Sequence, residues 1–204
     1  ARSRGLGDVY KRQGYHREIA EYLATVPVDI PLWAGVCSDG ALLDDDHLLR
    51  HTGKGVTFVG NFSDTGSSNE LPNFLQNQTR DALLTIAYDP LIELKIMQKF
   101  FINCAINPLT VIHQCRNAEL LKNADIKKLF TELCTELQSI YKAGCENLHH
   151  LNSQTLNEAL TFNVYEAACS VAEKTGNNYS SMLRDYQIKR PLELKYLNTY
   201  LLES

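Results

Sequence analysis

The stretch Lys99-Phe-Phe-Ile-Asn103-Cys-Ala-Ile-Asn107-Pro-Leu-Thr110 decides how this chain is read. Between Lys99 and Asn107 every residue other than Asn103 is apolar, which suits a helix buried over most of its circumference. Lys99, Asn103 and Asn107 recur at every fourth position, so on a helix they stack into one narrow polar stripe. A buried ammonium and two buried amides each cost free energy unless something pairs with them. That cost points to a ligand. The competing reading is a lysine laid along apolar surface at a helix end, with two asparagines bonded to neighbouring backbone. The pattern alone leaves both open.

Composition sets the outer limits. A chain of 204 residues with 44% apolar content can bury a real core and hold one or two domains. The net charge is −4 and no basic stripe forms, so nucleic acid is not an expected partner. No apolar run is long enough to span a bilayer, and the start lacks the apolar core of a signal peptide, so no membrane partner and a cytoplasmic location are expected. The six cysteines stand far apart with no CxxC pair. Reduced thiols explain them better than disulfides or a zinc site. Cys104 is expected to fill the apolar side of its helix, and His149-His150 to be an exposed helix-end pair rather than a metal site. Asp44-Asp-Asp46 reads as a solvated turn, His51 as a strand residue and Trp33 as sheet packing.

Along the chain, residues 1–13 differ from the rest. Gly5-Leu-Gly7 suggests a dinucleotide fingerprint, but no strand precedes it and Tyr10 stands where the third glycine belongs. Asp8-Val-Tyr-Lys-Arg-Gln13 back-translates as GATGTGTATAAGAGACAG, which resembles a transposon end used to fragment DNA. The segment is therefore expected to be adaptor translation rather than native sequence. His16–Ala24 reads as the end of a helix and Leu32–Cys37 as a strand. Leu48–Thr52 and Val56–Phe62 flank Gly53-Lys-Gly55, a hairpin signal. Asn69–Gln78 reads as a short helix and Ala82–Tyr88 as a strand. These pieces have the size of the closing part of an α/β sheet. After Asp89-Pro90 the chain reads as helices throughout. Ile92–Ala105 is the first, with Pro108 opening the next at its first turn. Ala124–His149, Thr155–Lys174 (ended by Gly176), Tyr179–Ile188 and Leu192–Leu202 follow. The last pattern stops at Leu201-Leu-Glu-Ser204 without a cap, so a second truncation is expected there.

Three segments of the helical half carry unexpected polar residues. They are the Lys99 stripe continuing to Asn117-Ala-Glu-Leu120, then Ser180-Ser181-Met-Leu-Arg-Asp185, then Glu193-Leu-Lys-Tyr196-Leu-Asn198. In this order they resemble the ketopantoate reductase family, whose helical domain carries K-x3-N-x3-NPLT, N-G-E-L, SSMLQD and E-I-D-Y-x-N-G. The resemblance covers roughly residues 15 to 204. It implies an α+β fragment: 14–89 would be the end of an NADP-binding Rossmann domain, and 90–204 an all-α substrate and catalytic domain. It further implies NADPH-dependent reduction of 2-dehydropantoate to pantoate, in the pathway to pantothenate and coenzyme A.

By the same resemblance, Lys99 matches the catalytic lysine that donates a proton. Asn103, Asn107 and Asn117 match substrate-binding asparagines, and Ser181 a serine that contacts the substrate. Glu193 matches a glutamate that holds cofactor and active-site geometry. Ala41, in Ala34-Gly-Val-Cys-Ser-Asp39-Gly-Ala41, aligns loosely with a cofactor contact. These residue types suit keto-acid reduction. An ammonium can polarise a carbonyl oxygen and protonate it, a carboxylate can keep that ammonium charged, and amides offer both donors and acceptors. Three departures are visible: Ala118 for a glycine, Lys195 for an acidic residue and Thr199 for a glycine. The family's G-x-G-x-x-G would lie upstream of Gly14. Two further readings stay open: a reductase of another 2-keto acid on the same fold, and a non-catalytic helical interaction module. So does the choice between monomer and homodimer.

Overall fold

In the computed structural model of the chain, Thr25 and residues 33–43, 48–61, 85–146 and 152–203 are described, in two compact units that divide between Ile96 and Met97. The strands, all in the first unit, are Trp33–Cys37 (β1), Gly40–Leu43 (β2), Leu49–Gly53 (β3), Val56–Asn61 (β4) and Thr85–Tyr88 (β5). The helices are Ile92–His113 (α1), Glu119–Lys122 (α2), Ala124–Glu146 (α3), Ser153–Leu160 (α4), Val164–Lys174 (α5), Ser181–Gln187 (α6) and Asn198–Glu203 (α7), with a 3-10 turn at Glu193–Tyr196. The class is α+β, a small sheet followed by helices. The readings at His16–Ala24, Asp44–Asp46, Asn69–Gln78 and His149-His150 fall outside the described residues, as does residues 1–13.

β4 is the middle strand of a three-stranded sheet, antiparallel to β1 and parallel to β5. A parallel pair requires a crossover connection, which distinguishes an α/β sheet from a meander. The expected hairpin between the Leu48 and Val56 segments does not form. β3 pairs instead with β2, and both of its faces are exposed. The chain is held back at Gly55, whose N–H donates to Asp39 Oδ1 at 3.0 Å, while Ser38 and Val56 exchange hydrogen bonds. His51 Nε2 lies 2.9 Å from the same Asp39 oxygen. Burial opposes ionisation of Asp39, but the Gly55 N–H and His51 outweigh it and hold the carboxyl below its ordinary range.

Ala34, Val36, Ile92 and Ile96 form the core of this unit with Phe58 against them, and Trp33 meets Tyr88 edge to face. Asp89 Oδ1 accepts the Leu91 N–H at 2.8 Å, so the Asp89-Pro90 pair starts α1 as the sequence reading requires.

In the second unit α3 buries Ile126, Phe130, Cys134, Leu137, Tyr141 and Cys145, a stripe at helical spacing. Leu129, apolar in sequence, is exposed. The Tyr141 ring meets Phe101 and Phe162 at 5.4 and 5.0 Å, and its hydroxyl donates to the Ala159 carbonyl at 3.2 Å. The single helix expected over Thr155–Lys174 is two, because each has its own cap: Asn152 accepts from Thr155 N–H and Asn163 from Glu166 N–H. Gln138 clamps the break, donating to the Phe162 carbonyl and accepting the Val164 N–H. Leu192–Leu202 likewise divides into the 3-10 turn and α7.

Pro108 does not open a new helix; it lies inside α1. An interior proline removes the N–H that the carbonyl four residues earlier would accept. That carbonyl belongs to Cys104, and Asn198 Nδ2 donates to it at 3.2 Å. Among the described residues no helix is long and apolar enough to cross a membrane.

Gly60 is buried where β4 meets the start of α1, and a Cβ there would sit 2.2 Å from the Asp89 carbonyl oxygen and 2.6 Å from Ile92 Cβ. Gly60→Ala is therefore predicted to destabilise the first unit by about 1–3 kcal/mol, read by denaturant unfolding with a β-sheet probe. An unchanged midpoint contradicts this packing.

Candidate active site

The polar stripe of α1 runs along a helix whose middle turns are packed, while its last turn exposes Ile112. Phe101, Cys104, Ala105, Ile106 and Leu109 are all buried, while Lys99 and Asn103 are half-buried. Asn107 is only 5% exposed, and its Nδ2 has no hydrogen-bond partner among the described residues. A buried amide donor left without a partner costs about 1–3 kcal/mol. Cys104, one residue beyond Asn103, faces the packed interior. Burial pushes its thiol far above the ordinary range, so it remains protonated and is no nucleophile.

The turn after Asn107 is tied to α6 by a directed chain of hydrogen bonds. Thr110 Oγ1 donates to the Asn107 carbonyl at 2.7 Å and lies 2.6 Å from Ser180 Oγ. With the Thr110 proton committed to that carbonyl, Ser180 is the donor in the second contact. Ser180 Oγ in turn accepts the Leu183 N–H at 3.1 Å and caps α6. The first serine of the Ser180-Ser181 pair is thus buried and structural, whereas Ser181 is exposed at the first position of α6.

Asn117 is held through both its backbone and its side chain. Its N–H donates to the Asn178 carbonyl at 3.1 Å, and its Nδ2 to Thr175 Oγ1 at 2.8 Å. Thr175 Oγ1 donates onward to the Val171 carbonyl. The amide orientation is therefore set, and Asn117 Oδ1 is left buried with no partner among the described residues. The neighbouring Ala118 N–H donates to the Gly176 carbonyl. A Cβ on Gly176 would come within 2.9 Å of the Ala118 methyl, so the departure at 118 is accommodated by a glycine opposite. Arg116 and Arg184 both stack on the Tyr179 ring, at 5.2 and 4.6 Å from its centre.

Glu193 stands in the 3-10 turn, half-buried, with Oε1 withdrawn from solvent. Lys99, Asn103, Asn107, Asn117, Ser181 and Glu193 all belong to the second unit. Ala41 belongs to the first, exposed on β2 beside the irregularity at Gly40. Among the described residues no cluster could hold a metal ion. Sequence reasoning assigned nothing to Thr110, Ser180, Thr175 or Asn198. Ser180 was recoverable from its place before an apolar helix as an N-cap. Thr175 and Asn198 carry no local signal, because their partners lie 58 and 94 residues away.

A family model for the C-terminal part of ketopantoate reductase, PanE/ApbA, matches residues 91–204, more than half of the chain. The chain belongs to the ketopantoate reductase family. The 2-dehydropantoate 2-reductase of Vibrio cholerae serotype O1 is 30% identical over 196 residues, which cover 96% of this chain and 60% of that protein. Among solved structures, the PanE protein of Bacillus subtilis is 26% identical with a TM-score of 0.59, covering 94% of this chain and 58% of its own. A D-mandelate dehydrogenase solved with NADH shares the fold at 22% identity, with a TM-score of 0.69 over 92% of this chain and 58% of its own. The chain spans about three-fifths of the length of these relatives.

Removing either hydroxyl of the Thr110–Ser180 pair leaves a buried polar group unsatisfied. Ser180→Ala and Thr110→Val are each predicted to cost about 1–3 kcal/mol. The double variant should cost less than their sum, because the two act on one contact. Strict additivity in urea unfolding contradicts the coupling.

Proposed function

We propose that this chain carries the substrate and proton-donor half of an NADPH-dependent 2-dehydropantoate 2-reductase, whose full length includes a nucleotide-binding half. One observation carries the reading. Positions 99, 103, 107 and 117 hold polar side chains, and two of the amides present buried, unpartnered atoms of opposite polarity: a donor on Asn107 and an acceptor on Asn117. A ligand bearing both hydroxyl and keto oxygens satisfies such a pair.

The chemistry follows from the side chains. The Lys99 ammonium polarises the keto oxygen and protonates it as the carbon becomes tetrahedral, acting as general acid. Glu193, a half-buried carboxylate, favours the charged form of a neighbouring ammonium. Asn103, Asn107 and Asn117 orient the substrate so that one face of its carbonyl is presented, and the exposed Ser181 hydroxyl offers a donor to its carboxylate. For the cofactor, Ala41, exposed on β2, and Glu193 are each assigned on the family resemblance alone. The group assigned to them is a nicotinamide nucleotide, and NADPH over NADH is part of the proposal. When bound, that nucleotide supplies the hydride. The placement of residues 14–89 as the end of its Rossmann domain, and a cytoplasmic location, belong to the same reading.

Turnover by the full-length enzyme tests it. Lys99→Ala is predicted to lower kcat for ketopantoate with NADPH by about 10²–10⁴-fold while the chain stays folded. Retained turnover removes Lys99 from catalysis, whereas an unsubstituted full-length protein that reduces no keto acid favours the helical interaction module. A second 2-keto acid preferred over ketopantoate would assign the fold to the other substrate.

A further inference from the structure

Pro108 creates a gap in the hydrogen bonding of α1 at the turn that separates Asn103 from Asn107. The Cys104 carbonyl points toward a residue with no N–H, and the proline ring crowds it. A buried carbonyl without a donor is costly. The donor present is the side-chain amide of Asn198, 94 residues further on and at the start of α7. Asn198 therefore bonds to the backbone of α1 in the turn between the two asparagines assigned to the substrate. Its own Oδ1 is buried with no partner among the described residues. An amide that tolerates such an orphan is being held in place by what its other end does. The sequence order is informative too. Asn198 follows Glu193 by five residues, so the turn bearing the carboxylate is anchored next to the helix bearing the amine.

We propose that Asn198 is a positioning residue for keto-acid binding: it replaces the helix bond that Pro108 removes at Cys104 and so holds Asn103 and Asn107 in register. This rests on the functional reading above. The claim is specific about its cause. If the missing N–H at position 108 is what Asn198 supplies, then restoring that N–H makes Asn198 dispensable. Asn198→Ala would damage binding only while Pro108 is present.

A double-variant cycle decides it. Asn198→Ala, Pro108→Ala and the pair are made in the full-length enzyme, and KM and kcat for ketopantoate are measured with the thermal midpoint of each. Asn198→Ala alone is expected to raise KM about tenfold, the equivalent of one side-chain hydrogen bond to a buried group, with kcat changed much less. It should also lower the midpoint by about 4 °C. In the Pro108→Ala background the same substitution should shift KM less than about twofold and leave the midpoint nearly unchanged. Equal effects in both backgrounds overturn the route through Cys104. A midpoint change with KM unaltered makes Asn198 merely structural and also overturns the proposal. Should the unsubstituted enzyme not reduce ketopantoate, the functional reading fails and takes the substrate half of this proposal with it. The midpoint cycle alone still decides whether Asn198 answers Pro108.

Discussion

Two hydroxyls 2.6 Å apart, Thr110 on α1 and Ser180 before α6, bear much of the organisation of the second unit. Their contact is the middle of a run in which the Leu183 N–H donates to Ser180, Ser180 to Thr110, and Thr110 to the Asn107 carbonyl. Every donor in the run has an acceptor, which is what makes a buried polar run favourable rather than costly. The run also couples two functions. The same serine that caps α6 fixes the turn of α1 that carries Asn107, so neither element can shift without breaking the other's end.

Against that fully satisfied run stand the atoms that are not satisfied. Asn107 Nδ2, Asn117 Oδ1 and Asn198 Oδ1 are buried without partners among the described residues. His113 Nε2, at the end of α1, is a further buried atom without a partner among the described residues, while Asn117 is fixed through Thr175 and Asn178, and Asn198 through Cys104. The three departures from the family motif sit outside this set. Ala118 is matched by Gly176 opposite, whereas nothing in the structure explains Lys195 or Thr199.

Much of this was legible in the chain. The spacing of Lys99, Asn103 and Asn107 located the stripe, the apolar residues between them its burial, and Asp89-Pro90 the start of the helix. What local pattern could not supply was long-range compensation. Pro108 read as a helix start because proline favours a first turn, and the donor that lets it sit inside α1 is far along the chain. Gly53-Lys-Gly55 read as a hairpin because glycines flank a lysine between two strands. The Asp39 carboxylate bonding to Gly55 sends β4 to β1 instead. The break at Thr161–Asn163 did carry a local signal, the Asn163 cap, and Gln138 on another helix holds it open. In the first two cases a single distant polar side chain overrode a sound local preference.

The central claim is that the stripe on α1 faces a keto-acid ligand. The most direct measurement follows the side-chain amide protons of Asn107 by nuclear magnetic resonance in the full-length enzyme as pantoate is added. The account predicts a saturable shift of the Asn107 Nδ2 protons, tracking the binding curve, because a buried donor gains its first acceptor. Saturating pantoate that leaves those protons unmoved would contradict it.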